Sequence, residues 1–342
     1  MDQVAIQSES PGSVFRTRAW VQAWIDTWGS HPKIQLIDLG GRKDPLEQVY
    51  IASQVFKKCL PIKVLNLAGV GSSSVSTPRA EYIDLMPFIQ LAGNPVELAR
   101  LLMPLKWQRF NIPDVLDSSG TFPQLQVIAA HTSGILHRHT RELAYSVVPQ
   151  PWPEYVAGLG ANTRLAYINR RKNLLQQANV EQENWPLERA EQFFTWLNQF
   201  HCERWANPCY SLESQKFLKN FGTRLIDEGG CLLFRVLRVN GQVTAVLLDI
   251  QWRDTCYNLQ SGFLETSFPK IALGSLHMGY DIEQALQQGL RYDFMAGQGK
   301  HSNYKERIAT CTQAMSGYYL ERGIMKNLRQ FKQRIFTSGN QA

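Results

Sequence analysis

Apolar residues at Phe15, Ala19, Trp20, Ala23, Trp24 and Trp28 share one helical face, and Gly29 follows as a natural stop. Short runs of β type come next. IQLIDLG (34–40) closes on Gly40-Gly41, QVYIASQVF (48–56) alternates by twos, and IKVLNLAG (62–69) predicts a third strand. The stretch GVGSSSVSTPR (69–79) has the composition of a loop, and Asn94-Pro95 opens a helix to about Met103. WQRFNIP (107–113), LQVIAA (125–130) and ELAYSVV (142–148) predict further strands. This half reads as mixed α/β. Pro149, Pro151 and Pro153 then punctuate the chain, because proline resists both helix interiors and central strands. They set the expected domains at 1–150 and 151–342.

The second half is more regular. Residues 161–178 predict a basic amphipathic helix. Residues 187–205 predict another, with Phe193, Phe194, Leu197, Phe200 and Trp205 on or near one face, and 211–228 a third. The apolar runs on either side of Asn240-Gly241 (231–252) predict a hairpin, because that dipeptide suits the tight turn between twisted strands. CYNLQSGF (256–263) extends the sheet. A helix from about Gly274 to Gln288 ends at Gly289, LRYDFMAG (290–297) and TQAMSGYYL (312–320) are strands, and a basic helix finishes at about 336.

With 44% hydrophobic and 19% charged residues, the balance is that of a globular protein, which excludes wholesale disorder and fibrous repeats. Six cysteines, at 59, 202, 209, 231, 256 and 311, are too sparse for a disulfide scaffold and read as reduced, mostly buried thiols. The opening MDQVAIQSESPGS lacks a signal peptide's basic flank and apolar core, and no run reaches membrane-spanning length. The expected location is therefore cytoplasmic. A net charge of +7 favours a polyanionic partner: a phosphorylated cofactor, a nucleotide sugar, tRNA or an anionic membrane surface.

Two segments carry candidate chemistry. In the first, Lys270, Leu273, Gly274 and Ser275 open the helix that follows a sheet strand. Bare N–H groups and the positive end of the dipole make such a place an anion site, and Gly274 lets backbone approach a phosphate or thioester. In the second, Tyr292–Gly297 leads through a Gly-rich loop to Tyr304 and Lys305. Tyr304 is a proton donor or relay there, and Lys305 a stabiliser of developing negative charge. Asp293, Glu203, His201 and Asp249 are the base candidates. His131, His137 and His139 cluster with Arg138 and Arg141, but no carboxylate or cysteine completes a metal set with them, so a polar, solvated loop is expected there and no metal. The C-terminal stripe of Ile324, Met325, Leu328, Phe331 and Ile335 predicts a docked helix with a basic outer face. Gly69-Val70-Gly71 lacks the Gly-Lys-Ser/Thr of a Walker loop, and no G-x-S-x-G elbow is present.

The string RYDFMAGQGKHSNYKERIA (291–309) resembles the closing YDF…G…YK signature of the CelD/BioF2-like acyltransferases, members of the GNAT superfamily related to the Fem aminoacyl-ligases. Other pieces resemble that family in the same order. They are Arg164, Arg170 and Arg171 on one helix, FHCERW (200–205), VNGQVTAVLLDI (239–250), QSGF (260–263) and ALGSLHMGYDIEQAL (272–286). In the first half, the tryptophan helix and the segment 66–85 do so too, so the resemblance covers about residues 15–310.

The resemblance implies an α/β (α+β) fold of two tandem GNAT-like domains, each a mixed, mainly antiparallel sheet flanked by helices. It implies acyl transfer from acyl-CoA, acetyl-CoA included, to an amine or hydroxyl of a small-molecule or sugar acceptor. It assigns catalysis to Tyr304, Lys305 and Asp293, cofactor binding to Lys270, Leu273, Gly274 and Ser275, and substrate binding to His201, Arg204, Trp205 and Gly297. The sequence departs from the family at Leu273, where proline is usual, and in a longer link between Gly297 and Tyr304. The Q/R-x-x-G-x-G/A loop is also absent. These departures leave room for aminoacyl-tRNA as the donor, or for a degenerate module that binds without turnover.

Overall fold

The computed structural model describes residues 13–265, 271–297 and 304–330. The strands are, in chain order, β1 (Ile34–Asp38), β2 (Gln48–Phe56), β3 (Leu60–Leu67), β4 (Arg109–Leu116), β5 (Ile135–Val147) and β6 (Val180–Trp185). They continue with β7 (Gly230–Val239), β8 (Gln242–Trp252), β9 (Thr255–Phe263), β10 (Arg291–Ala296) and β11 (Cys311–Glu321). The helices begin with α1 (Arg18–Trp28), α2 (Met86–Leu91), α3 (Pro95–Leu102), α4 (Thr121–His131), α5 (Trp152–Gly158) and α6 (Ala161–Arg164). They end with α7 (Arg170–Gln177), α8 (Ala190–Trp205), α9 (Leu212–Leu225), α10 (Leu273–Gln287) and α11 (Tyr304–Ile308). The chain divides into two units, Met1–Glu142 with Ala314–Ala342, and Leu143–Gln313.

In the first unit the sheet runs β1-β2-β3-β4-β11, followed by the first part of β5. The β1–β2, β2–β3 and β4–β11 pairs are antiparallel, and β3–β4 is parallel. Thr17 starts α1 by accepting from the Trp20 N–H. Every residue of the expected apolar face, Phe15 to Trp28, is buried. Trp24 stacks on Tyr50 of β2 with centroids 4.7 Å apart, and the Trp20 indole N–H reaches the Gly69 carbonyl at 2.8 Å. Asn94 caps α3 by accepting from Val96 and Glu97, with Pro95 in the first turn where its missing N–H costs nothing. Residues 324–330 are helical. Met325 there packs with Ile62 and Val64, but Ile324 and Leu328 are exposed, so of the expected stripe Met325 alone is buried among the described residues; Phe331 and Ile335 lie outside them.

In the second unit the order is the last part of β5, then β10-β9-β8-β7-β6. Asn240, with φ +52°, and Gly241, with φ +77°, form the expected hairpin turn between β7 and β8. Antiparallel pairing dominates, and β9–β10 is the parallel pair of this unit among the described residues. Phe193, Phe194, Leu197 and Phe200 of α8 and Phe217 and Phe221 of α9 are fully buried. From α10, Met278, Ile282, Ala285 and Leu286 join Leu233, Leu247 and Tyr292 in a second cluster.

Several expectations are corrected. LQVIAA is not a strand but the middle of α4, where Thr121, Leu125, Ile128 and Ala129 give the buried helical face; a short apolar run fits either period. The histidine segment is not a loop, because Ile135–Val147 is one strand with polar groups on both faces. The proline segment contains α5, with Pro153 in its first turn. The edge strand β6, VEQENW, carries few strand-forming residues and no alternation that sequence reading detects. The cysteines are free, but only Cys256 is buried; Cys59 and Cys202 are exposed and the others half-buried.

Candidate functional site

The local course of two strands creates the candidate site. β9 and β10 run parallel through the pairs Arg291–Thr255, Tyr292–Cys256 and Asp293–Tyr257, and the pairing ends there although β9 continues to Phe263. Beyond Asp293 the register of β10 against β5 shifts, Met295 takes φ +58° and Gly297 φ +90°. A left-handed methionine costs on the order of 1–3 kcal/mol, so neighbouring groups must hold it. Two do. The Asp293 carboxylate accepts from the Met295 N–H at 2.6 Å, and the Lys305 ammonium donates to the carbonyls of Met295 (3.1 Å) and Ala296 (2.7 Å).

α10 starts where β9 has run out. Its N-cap is Ala272, which has no side-chain acceptor to offer the first-turn N–H groups. Leu273 is buried with Leu174, Leu237 and Leu276 and anchors that first turn. Gly274 is required by packing: a Cβ there would lie 2.3 Å from the Phe263 ring. Burial raises the Tyr167 hydroxyl, and the Ser275 side chain beside it works against that rise. Lys270 lies outside the described residues.

Tyr167 belongs to a π-helical turn, Leu165–Asn169, between α6 and α7. A Cβ on Gly279 would fall 2.2 Å from the Tyr167 carbonyl, so the missing side chain lets the turn press against α10. π-turns recur at functional sites, yet the sequence showed only an amphipathic helix here. The resemblance named Arg164, Arg170 and Arg171 on this stretch and missed Tyr167.

Tyr304 stands close to Tyr167. Burial pushes its hydroxyl up to about 12, Tyr167 adds to the rise, and the Arg204 guanidinium works against it. At neutral pH the group is therefore a protonated donor. Arg204, on α8, lies 3.3 Å from Glu265 and stacks over Phe263 at 4.9 Å. Arg204, Tyr304, Tyr167 and Ser275 thus form one connected set, with Gly274 joined through Phe263. Trp205 is half exposed, beside His201 and Arg204. His201 Nδ1 is 2.7 Å from the Asn207 carbonyl. A carbonyl only accepts, so Nδ1 carries a proton, and in the neutral tautomer this leaves the lone pair on Nε2.

The other base candidates stand elsewhere. Glu203 accepts from Gln199 on the exposed side of α8. Asp249 is fully buried and accepts from Asn258 (2.7 Å) and Tyr292 (3.3 Å). Burial raises its carboxyl against the pull of Arg235, and Asp281 is raised well above the carboxylate range by burial and by Asp249. Beside them, burial pushes the His277 ring down to about 3, helped by Arg235.

In the first unit, His137 and His139 share a face of β5. His137 lies 3.6 Å from the buried Glu321, which also takes Arg109 and Arg329, and His139 stacks on Tyr319. Among the described residues no cluster of three or more His, Cys, Asp or Glu is placed to hold a metal ion. Nor is any helix among them long and apolar enough to cross a membrane.

Residues 162–306 match the family model described as an acetyltransferase (GNAT) domain. No curated protein matches the chain in a sequence comparison. Among solved structures, a conserved protein of unknown function from Bacteroides thetaiotaomicron is similar at a TM-score of 0.52 and 11% identity, covering 92% of this chain and 93% of that one. FemX is similar at a TM-score of 0.51 and 12% identity, covering 88% of this chain and 95% of its own. At such identities the likeness shows the fold. The mixed α/β architecture, with mainly antiparallel strands flanked by helices, is GNAT-like.

Proposed function

We propose that the second unit transfers an acyl group from acyl-CoA to an amine or hydroxyl of a small-molecule or sugar acceptor, as an acyltransferase of the CelD/BioF2-like branch. The observation that carries this reading is the parting of β9 from β10 beside the uncapped start of α10. Freed backbone groups on the parted strands suit a thioester carbonyl, and the first N–H groups of α10 suit the carrier's phosphates. Leu273, Gly274 and Ser275 present that helix start, and Lys270 adds charge.

In this reading the acceptor amine attacks the thioester carbonyl. A C–N bond forms, the C–S bond breaks, and the Tyr304 hydroxyl protonates the departing thiolate. His201 Nε2 takes the proton that the amine loses, and solvent returns it to Tyr304. Arg204 and Trp205 line the acceptor side. Asp293 and Lys305 hold the Met295–Gly297 bend so that the backbone donors keep their aim. They act through the backbone rather than on the reacting atoms.

Aminoacyl-tRNA is the second carrier to weigh. The departures at Leu273 and in the missing glycine loop favour it, as does the net charge of +7. Titrating the full chain with acetyl-CoA and with charged tRNA, while following the melting temperature, separates the two, because a ligand that binds the folded state raises stability. A rise of several degrees with saturating acetyl-CoA is expected. A rise with charged tRNA alone moves the donor assignment to tRNA. No rise with either leaves a binding module without turnover and ends the acyl-transfer reading.

A further inference from the structure

A groove of about 540 Å³ lies between α10 and the β6–β7 edge of the sheet. It belongs to a different side of α10 from the reaction centre. His277, Asp281 and Gln284 line it, while Ser275 and Gly279, which meet Tyr167, point roughly 150° away around a helix of 3.6 residues per turn.

The floor of the groove is polar and unfinished. Arg235 reaches Asp281 at 3.6 Å and donates to Gln284 at 2.6 Å. Yet Arg235 Nε, Asp281 Oδ2 and His277 Nδ1 are buried without a hydrogen-bond partner, and the Asp281 and His277 residues are 4% and 2% exposed. A buried polar atom left in that state has lost its water and gained nothing in return, so three side by side call for a partner. The rim supplies exposed side-chain amides from Gln182, Asn184, Gln284 and Gln287.

The lining charges are already matched. Arg235 faces the two carboxyls of Asp281 and Asp249, Glu283 has Arg171, and Glu183 has Arg238. A cation or an anion therefore finds no uncompensated charge. What remains are donors and acceptors in alternation: amides, an imidazole and a carboxyl oxygen. A ligand that meets them carries groups that both give and accept hydrogen bonds without net charge, and its size is bounded by pockets of this volume. We propose that this groove is a binding site for a neutral saccharide of about two sugar units, separate from the reaction centre.

The test uses the full chain and N,N′-diacetylchitobiose, read by saturation-transfer NMR and by melting temperature. Saturation transfer to the sugar and a rising melting temperature are expected. The Asn184→Ala/Gln287→Ala variant changes exposed side chains only, so it retains the wild-type melting temperature without sugar and binds about tenfold more weakly. The same titration with acetyl-CoA is unaffected by the variant, which separates failure here from failure of the acyl-transfer reading. Absence of transfer, equal binding by variant and wild type, or displacement of the sugar by spermidine or by an extended tetrapeptide overturns the proposal.

Discussion

Replacing Tyr304 with phenylalanine is expected to lower kcat by about 100- to 1,000-fold while leaving the melting temperature within a few degrees. The substitution keeps the ring, which packs on the second unit's core, and removes only the hydroxyl. That hydroxyl is held up to about 12, so the proton stays on the ring oxygen across the working pH range and is available to a departing thiolate. Lys305→Ala provides the contrast. The ammonium ties two carbonyls of the strained bend, so its loss moves KM and stability together, by about 1–3 kcal/mol in folding free energy. Steady-state kinetics on both variants checks the division of roles. A Tyr304→Phe enzyme with unchanged kcat removes the hydroxyl from the chemistry.

The second large effect concerns acid. His277 in the unfolded chain titrates near 6.5, and in the folded protein near 3. Between those values the unfolded chain binds a proton that the folded chain refuses. Stability from this residue is therefore complete above about pH 6.5 and is lost as the pH falls toward 3. At pH 4.5 the loss amounts to roughly 2–3 kcal/mol. Urea unfolding of the wild type and of His277→Gln at pH 7 and pH 4.5 measures it. The wild type should lose that much more than the variant on acidification. Equal losses in the two proteins would show that the ring is not kept neutral by its burial.

The sequence disclosed what depends on one element at a time. The tryptophan face of α1, the Asn240-Gly241 turn and the cap at Asn94 were legible because each rests on local spacing or on one residue's backbone preference. Reading α4 as a strand failed because a short apolar run satisfies two periods, and β6 was missed because an edge strand can be mostly polar. At the candidate site, the start of α10 and the loop from Tyr292 to Lys305 stood out by local composition, and a family resemblance singled out Tyr304, Lys305 and Asp293. Their arrangement was not legible. That Lys305 grips two carbonyls, that Gly274 makes room for the Phe263 ring, and that a π-turn delivers Tyr167 to Ser275 all depend on segments far apart in sequence. The polar floor of α10 was hidden for the same reason. Arg235, Asp249, His277 and Asp281 come from three elements; Asp249 stood out only as a base candidate, and the other three each read as an ordinary residue of its strand or helix.

β11 belongs to the first unit although most of that unit precedes residue 143. During synthesis the ribosome delivers every residue of the second unit before it delivers the strand that β4 is waiting for. The inserted unit can therefore settle early, while its host keeps one flank of β4 open until residues 314–321 have been added. In that interval β4 exposes backbone that a chaperone, or another nascent chain, can occupy.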